Sequence, residues 1–269
     1  MSEEIFELNN VSYSYLGKIP ALCGVDLKVE RGERIALVGA NGSGKSTLLQ
    51  LLDGLIFPDE GIIKAFGNVL KESEFDNFGF SRNFRKKVAF LFQNSDVQLF
   101  SPTVKEDILF GPLQLEMPEE EIRKLFHELV EIFGLEKLLE RSPHQLSVGE
   151  KRKVAIAGTL AIDPEVLILD EPTAGLDPVT TRHIIDIIID YNEKGKTIIT
   201  ATHDLHTLGE IADKVYVFGP DKKIIRSGSI QEILSDTQFL EDNNLMHIHS
   251  HRHKDTTHVH PHEHLDHHH

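Results

Sequence analysis

Hydrophobic positions along this chain switch between two periods. Residues 5–15 and 22–29 alternate apolar and polar, parted by Gly17 and Pro20, which predicts two antiparallel strands. Arg34-Ile35-Ala36-Leu37-Val38 is a continuous apolar run, the pattern of a strand buried on both faces, and Leu48-Leu49-Gln50-Leu51-Leu52 continues as a helix. Residues 61–70 and 87–92 read as further strands, with a polar, Phe-dotted loop between them. From Met117 the period lengthens. Pro118 opens a helix whose Ile122, Leu125, Phe126, Leu129, Val130 and Phe133 share one face, and Gly134 ends it. Residues 166–169 and 197–202 are buried strands on either side of a helix that follows Pro178, keeps Ile184, Ile185, Ile188 and Tyr191 inward, and closes at Gly195. Residues 215–218 and 223–227 make a last hairpin across Gly219-Pro220-Asp221. Alternating strands and helices predict an α/β fold with a mainly parallel central sheet and an antiparallel β subdomain at the start.

Between the first apolar strand and its helix lies Gly39-Ala40-Asn41-Gly42-Ser43-Gly44-Lys45-Ser46-Thr47. Strand, Gly-rich loop and helix N-terminus are the context a phosphate-binding loop requires. Glycines let consecutive N–H groups turn toward one anion, and the helix adds its unpaired amides. Lys45 is expected to reach the β- and γ-phosphates, and the Ser46 hydroxyl to hold Mg²⁺. The chain is expected to bind a nucleoside triphosphate.

Composition narrows the class. Among 269 residues the hydrophobic fraction is 40% and the charged fraction 26%, ordinary for a globular protein, with ample length for a core. No run approaches the ~18 apolar residues of a membrane span, and the N-terminus lacks the basic-then-apolar layout of a signal peptide. One cysteine, Cys23, forms no internal disulfide and fits a reducing compartment. A net charge of −15 argues against a nucleic-acid partner, which would call for a basic face. A cytoplasmic protein is the expectation.

A second nucleotide signal is the apolar strand ending in Asp170-Glu171. It carries two carboxylates to the sheet edge where the phosphate loop lies. Asp170 is expected to orient Mg²⁺ and Glu171 to polarise the water that attacks the γ-phosphate. Between the two signals runs His144-Gln145-Leu146-Ser147-Val148-Gly149-Glu150, and here the chain resembles the ATP-binding cassette (ABC) ATPases, whose signature is Leu-Ser-Gly-Gly-Gln. The resemblance covers residues 5 to about 235 and implies a P-loop NTPase fold with an α-helical signature subdomain, about residues 94–152, inside a nucleotide-binding domain of residues 1–246. By the same resemblance Tyr15 matches the aromatic that stacks on adenine. Gln93 matches the glutamine that contacts Mg²⁺ and the attacking water, and His203 the histidine that touches the γ-phosphate. Asp177, in Ala174-Gly175-Leu176-Asp177, matches the loop at the dimer interface. Ser147 and Gly149 would cap the γ-phosphate bound to an opposite subunit, so that ATP joins two cassettes in a homodimer. Val148 and Glu150 depart from the consensus Gly and Gln, while Ser147 and Gly149 remain.

A narrower resemblance follows from Phe92-Gln93-Asn94-Ser95-Asp96-Val97-Gln98-Leu99-Phe100, Ser101-Pro102-Thr103-Val104, Phe110-Gly111-Pro112 and Val154-Ala155-Ile156-Ala157-Gly158. These stretches are similar to the ATPases of energy-coupling-factor (ECF) transporters, particularly the cobalt/nickel group. The resemblance implies a transmembrane coupling subunit docked in a groove after Gln93, a substrate-specific membrane subunit beyond it, and residence on the cytoplasmic face of the membrane. Val97, Leu99 and Phe100 are expected to expose apolar surface there; the competing reading is ordinary packing of the helical subdomain.

The chain ends in a compositional break: 11 of its 16 histidines fall in residues 247–269. A segment so poor in apolar residues is expected to be a disordered tail. His247, His249, His251, His253, His258, His260, His262 and His264 offer imidazoles at alternate positions, a donor set suited to Ni²⁺, Co²⁺, Cu²⁺ or Zn²⁺. A purification remnant or an idle tail is the alternative. The rival readings of the whole chain are a cassette of another transporter class, a non-transport ABC protein, and a metal-buffering module whose ATP turnover is incidental.

Overall fold

In a computed structural model the described residues are 3–243, 245, 247–253 and 256–262, the last two segments as backbone. The elements in order are β1 (Glu4–Tyr15), β2 (Ile19–Glu30), β3 (Arg34–Gly39), α1 (Lys45–Leu52), β4 (Glu60–Ala65), β5 (Asn68–Val69), α2 (Glu72–Phe75), α3 (Phe78–Lys87), β6 (Val88–Leu91), α4 (Val104–Gln114), α5 (Glu119–Phe133) and α6 (Val148–Leu160). They continue as β7 (Val166–Asp170), α7 (Pro178–Glu193), β8 (Thr197–Ala201), α8 (Leu205–Ile211), β9 (Lys214–Phe218), β10 (Ile224–Ser229), α9 (Ile230–Leu234), α10 (Thr237–Asp242), β11 (His247–His253) and β12 (Thr256–His262).

Two sheets carry the molecule. The larger has the order β10-β9-β3-β8-β7-β6, parallel throughout except for the antiparallel β9–β10 pair. The smaller, β2-β1-β4-β5, is antiparallel. Helix α1 is wedged between them. Leu48, Leu49, Leu51 and Leu52 are all fully buried in a core that joins Phe6 and Val29 of the small sheet to Ile35 and Ile199 of the large one. This is why the run after the phosphate loop is apolar on nearly every face, as a helix inside a core must be. A second core joins α4, α5, α6 and α7 to the outer side of β6 and β7, and a third seats α8 and α9 on β3 and β9.

The parallel sheet, the first hairpin and the helix ending at Gly134 match the sequence pattern. Three expectations need correction, and one helix is added inside the expected helical subdomain. Residues 71–87 are not a loop. Asn77 caps α3 by accepting from the Gly79 and Phe80 amides, and Phe80 and Phe84, one turn apart, pack with Phe75 at ring distances of 5.3 and 5.2 Å. Helix α4 is an addition, opened by a reciprocal capping box between Thr103 and Glu106. Leu99 does not expose apolar surface: it is buried with Val104 and Ile108 because the chain turns inward there, while Val97 and Phe100 stay exposed. In the tail, the backbone of β11 and β12 pairs antiparallel, with His247 opposite His262, His249 opposite His260 and His251 opposite His258. A histidine at every second position gives the chain a strand period despite its polar composition. His264 lies outside the described residues.

One polar contact fixes the end of α1. Asp53 is buried, and burial pushes its carboxyl up to about 7 against the pull of Arg85. Arg85 donates to the Asp53 carboxylate at 2.8 Å and to its carbonyl at 2.6 Å while lying over the Phe75 ring. Because the folded pKa lies above the ordinary value of 3.8, charging Asp53 costs stability that is lost progressively as pH rises from about 4 to about 7 and stays lost above that. Arg85→Met strands that charge, so thermal unfolding should show a loss of about 2 kcal/mol at pH 8 and a smaller loss at pH 6. A pH-independent difference would show that the pair does not carry the effect.

A candidate nucleotide site at the sheet edge

Because β3, β6, β7 and β8 run parallel, their C-terminal ends deliver side chains to one edge. From β3 comes the loop 39–44, from β6 Gln93, from β7 Asp170 and Glu171, and from β8 Thr202 and His203. The loop's shape depends on glycine at its end. Gly44 sits at φ 110°, and a Cβ there would stand 2.4 Å from the Ala21 carbonyl oxygen. This close approach lets the loop pass under β2 and start α1 at Lys45.

Lys45 is 6% exposed and bends back over the loop, donating to the Gly39 carbonyl at 2.7 Å and the Ala40 carbonyl at 3.3 Å. Burial pulls its ammonium below the ordinary lysine value, and Glu171 and Asp170 pull it back. Ser43 is buried with its hydroxyl unpaired among the described residues, an unsatisfied polar group in the loop that suits an anion. Ala40, Asn41 and Gly42 are exposed on the outer rim. Thr47 in the first turn of α1 meets the Tyr15 hydroxyl at 3.1 Å, and Tyr15, 38% exposed, stands edge-on to Tyr13.

Opposite the loop, Asp170 is buried; desolvation raises its pKa while the Ser46 hydroxyl lowers it. A hydroxyl and a carboxylate oxygen side by side form a hard, oxygen-only donor set that fits Mg²⁺. Glu171 is also buried, in left-handed backbone at φ 48°. Such strain in a non-glycine residue costs about 1–3 kcal/mol and gathers at functional sites; here the Glu171 amide is held by the Ala201 carbonyl at 2.9 Å. Its carboxylate receives the Thr202 hydroxyl at 3.4 Å and meets His203 Nδ1 at 2.8 Å.

The remaining sequence-predicted residues do not join this cluster. The Gln93 side chain is exposed and, among the described residues, hydrogen-bonded to nothing; only its carbonyl is engaged, by Arg152. Ser147, Gly149 and Asp177 line a separate open cavity with Glu150, Lys153 and Thr180, and no phosphate-loop residue reaches it. Ser147 caps α6, and Glu150 closes a capping box by accepting from the Ser147 amide at 2.8 Å. Asp177 caps α7 by accepting from the Val179 and Thr180 amides. The cavity thus presents a helix N-terminus, a hydroxyl and an aspartate with no phosphate loop of its own. Thr202 and Arg152 are the contributors sequence reasoning missed. The Ser-x-x-Glu spacing at Ser147 was a readable capping signal, whereas nothing local marks Arg152 as buried.

The hydrogen bond that His203 gives the Glu171 carboxylate raises the pKa of His203 above its ordinary 6.5. The stability this pair contributes is therefore fully present below pH 6.5 and is lost as pH rises through the raised value. In the nucleotide-free protein, the melting-temperature advantage of wild type over His203→Ala should be largest near pH 6 and shrink toward pH 9. An advantage that grows with pH would contradict the assigned pair.

Comparison with known proteins now bears on the site. The ABC transporter family model matches residues 22–174. The nickel import ATP-binding protein NikO of Rhodobacter capsulatus is 47% identical over 244 residues, covering 90% of this chain and 95% of that protein. The energy-coupling factor transporter ATP-binding protein EcfA of Methanocaldococcus jannaschii is 43% identical over 241 residues, covering 90% and 85%. Among solved structures, cbiO1 of Clostridium perfringens, described as part of the ABC transporter complex cbiONQ, superposes with a TM-score of 0.75 at 35% identity, covering 90% of this chain and 95% of that one.

Proposed function

This chain belongs to the ABC transporter ATPases, and from that premise we propose that it is the motor subunit of an ECF-type importer of nickel or cobalt. The observation that carries the proposal is the split of the site. Lys45, Asp170, Glu171 and His203 stand at one sheet edge, and Ser147, Gly149 and Asp177 line a cavity with no phosphate loop. An arrangement of two incomplete halves becomes whole when two copies meet head to tail, each offering its signature cavity to the other's nucleotide.

In this reading the amides of residues 39–47 cradle the phosphates and Tyr15 offers its ring face to the base. Lys45 leaves the loop carbonyls for the β- and γ-phosphates. Ser46, Asp170 and Gln93 would hold Mg²⁺, which when bound neutralises charge on the phosphates. Glu171 accepts a proton from the attacking water, and His203, bonded to its carboxylate, reports the γ-phosphate. Ser147 and Gly149 supply a hydroxyl and helix amides to the γ-phosphate across the dimer.

Two observations support coupling to membrane subunits. Phe100 and Phe110 pack edge-to-face at 4.8 Å, and with Val97 and Leu113 they expose apolar surface on the helical subdomain, 59–66% for all but Phe110. No helix of the described residues is long and apolar enough to cross a membrane; in this reading the apolar surface meets membrane subunits at the cytoplasmic face. The nickel assignment is supported by the similarity to NikO and by the histidine-rich C-terminal segment, which we assign to Ni²⁺ or Co²⁺ storage beside the transporter.

Uptake of labelled Ni²⁺ and Co²⁺ should collapse for one ion when Lys45→Ala replaces the wild-type chain in the host cell; unchanged uptake of both would sink the metal-import reading. Independently, purified Glu171→Gln should form a stable dimer with ATP and remain monomeric without it. A monomer under both conditions would remove the two-site model. Deleting residues 247–269 should leave ATPase activity within about twofold, whereas a metal-buffering module would lose its function.

A further inference from the structure

Arg152 lies on α6, in the second turn after Ser147, and is only 5% exposed. Buried arginines ordinarily meet a carboxylate, because an unpaired guanidinium is costly to take out of water. Among the described residues Arg152 instead hydrogen-bonds to main-chain carbonyls: Nη1 to Phe92 at 2.9 Å and Nη2 to Gln93 at 2.6 Å. These two carbonyls belong to the peptide units on either side of the Gln93 Cα. Peptide units are planar, so holding both planes sets φ and ψ of Gln93 and with them the direction of its Cβ.

The surrounding contacts tie the same stretch to the same helix. Gln98 donates to the Thr159 hydroxyl of α6 and to the Phe90 carbonyl, each at 3.1 Å, and accepts from the Phe92 amide at 3.2 Å. Lys151 meets Asp96 at 2.5 Å. Residues 92–98 are therefore bonded to α6 at three positions, 151, 152 and 159, and of these only Arg152 holds the peptide units that flank Gln93. The positive charge also stands near the acidic pair: burial lowers the Arg152 pKa while Asp170 and Glu171 raise it.

We propose that Arg152 is a positioning residue that links the signature helix to Gln93. Ser147, the cap of α6, faces the opposite copy; Arg152, on the same rigid helix, holds the backbone of Gln93. A displacement of α6 when Ser147 engages nucleotide is thereby delivered to Gln93 through two hydrogen bonds. This rests on the roles proposed above for Ser147 and Gln93.

The test is a double-mutant cycle on the full chain, with ATPase kinetics and nucleotide affinity measured separately. Arg152→Met should lower kcat by about tenfold or more while ATP affinity, read by fluorescent-analogue displacement, stays within about twofold. Sigmoidal dependence of rate on ATP should flatten, because the link between the copies is cut. Arg152→Lys, which keeps the charge but lacks the fork that spans two carbonyls, should fall between. Added to Gln93→Ala, Arg152→Met should cost less than about twofold more, because both act through one group. Lys151→Ala, which breaks only the exposed tie, should stay within about twofold of wild type. Multiplying effects of Arg152→Met and Gln93→Ala, or an equal loss in Lys151→Ala, would overturn the proposal. If Arg152→Met does not fold, Arg152→Lys carries the same cycle against Gln93→Ala. Wild type without ATPase activity, or Gln93→Ala with full activity, would instead sink the functional reading on which the proposal stands.

Discussion

A buried ammonium held by the carbonyls of a glycine-rich loop is the constraint on which the rest depends. Lys45 can be taken out of water only because the Gly39 and Ala40 carbonyls receive it, and those carbonyls face it only because the loop turns at glycines. The loop in turn needs a strand to launch it and a helix to catch it. That helix is apolar on nearly every face because two sheets close over it. The phosphate site is thus built at the point where the two sheets and α1 meet, and disturbing the core there disturbs the site.

The second constraint is directional. Parallel strands place Asp170, Glu171, Thr202 and His203 beside the loop without any further device, since Asp170 ends β7, Glu171 follows it, and Thr202 and His203 are the first two residues past β8. The left-handed conformation at Glu171 is the local strain this placement imposes, and the Ala201 carbonyl and the His203 and Thr202 side chains hold it. The signature residues have no such strand to carry them. They sit at the starts of α6 and α7, where capping by Ser147 and Asp177 orders two helix ends into one open cavity.

Much of this was legible in the sequence. The phosphate loop, the acidic strand end, the parallel sheet and the helix from Pro118 to Gly134 all have local signals: glycine spacing, apolar runs and helix punctuation. The parts that were not legible depend on contacts distant in sequence. Leu99 reads as exposed beside Val97 and Phe100, yet the turn before α4 takes it into the core. Residues 71–87 look like a loop because their helices are short and charged, and what stabilises them is aromatic packing around Phe75 with Arg85 reaching back to Asp53. Arg152 reads as one more cation in a basic stretch, and only its carbonyl partners, about 60 residues earlier, give it a role. The histidine-rich end shows the converse, since its composition suggests a loose tail while its alternation allows strand pairing.

The central claim is that each nucleotide site is shared between two copies, and mixing of two inactive variants tests it most directly. Lys45→Ala abolishes one copy's phosphate loop and leaves its signature intact; Ser147→Arg does the reverse. In a mixed dimer one site combines the two defects, while the other pairs an intact loop with an intact signature. The account predicts that two preparations inactive alone regain ATPase activity when mixed. Continued inactivity in mixed dimers shown to form would mean that loop and signature act within one chain.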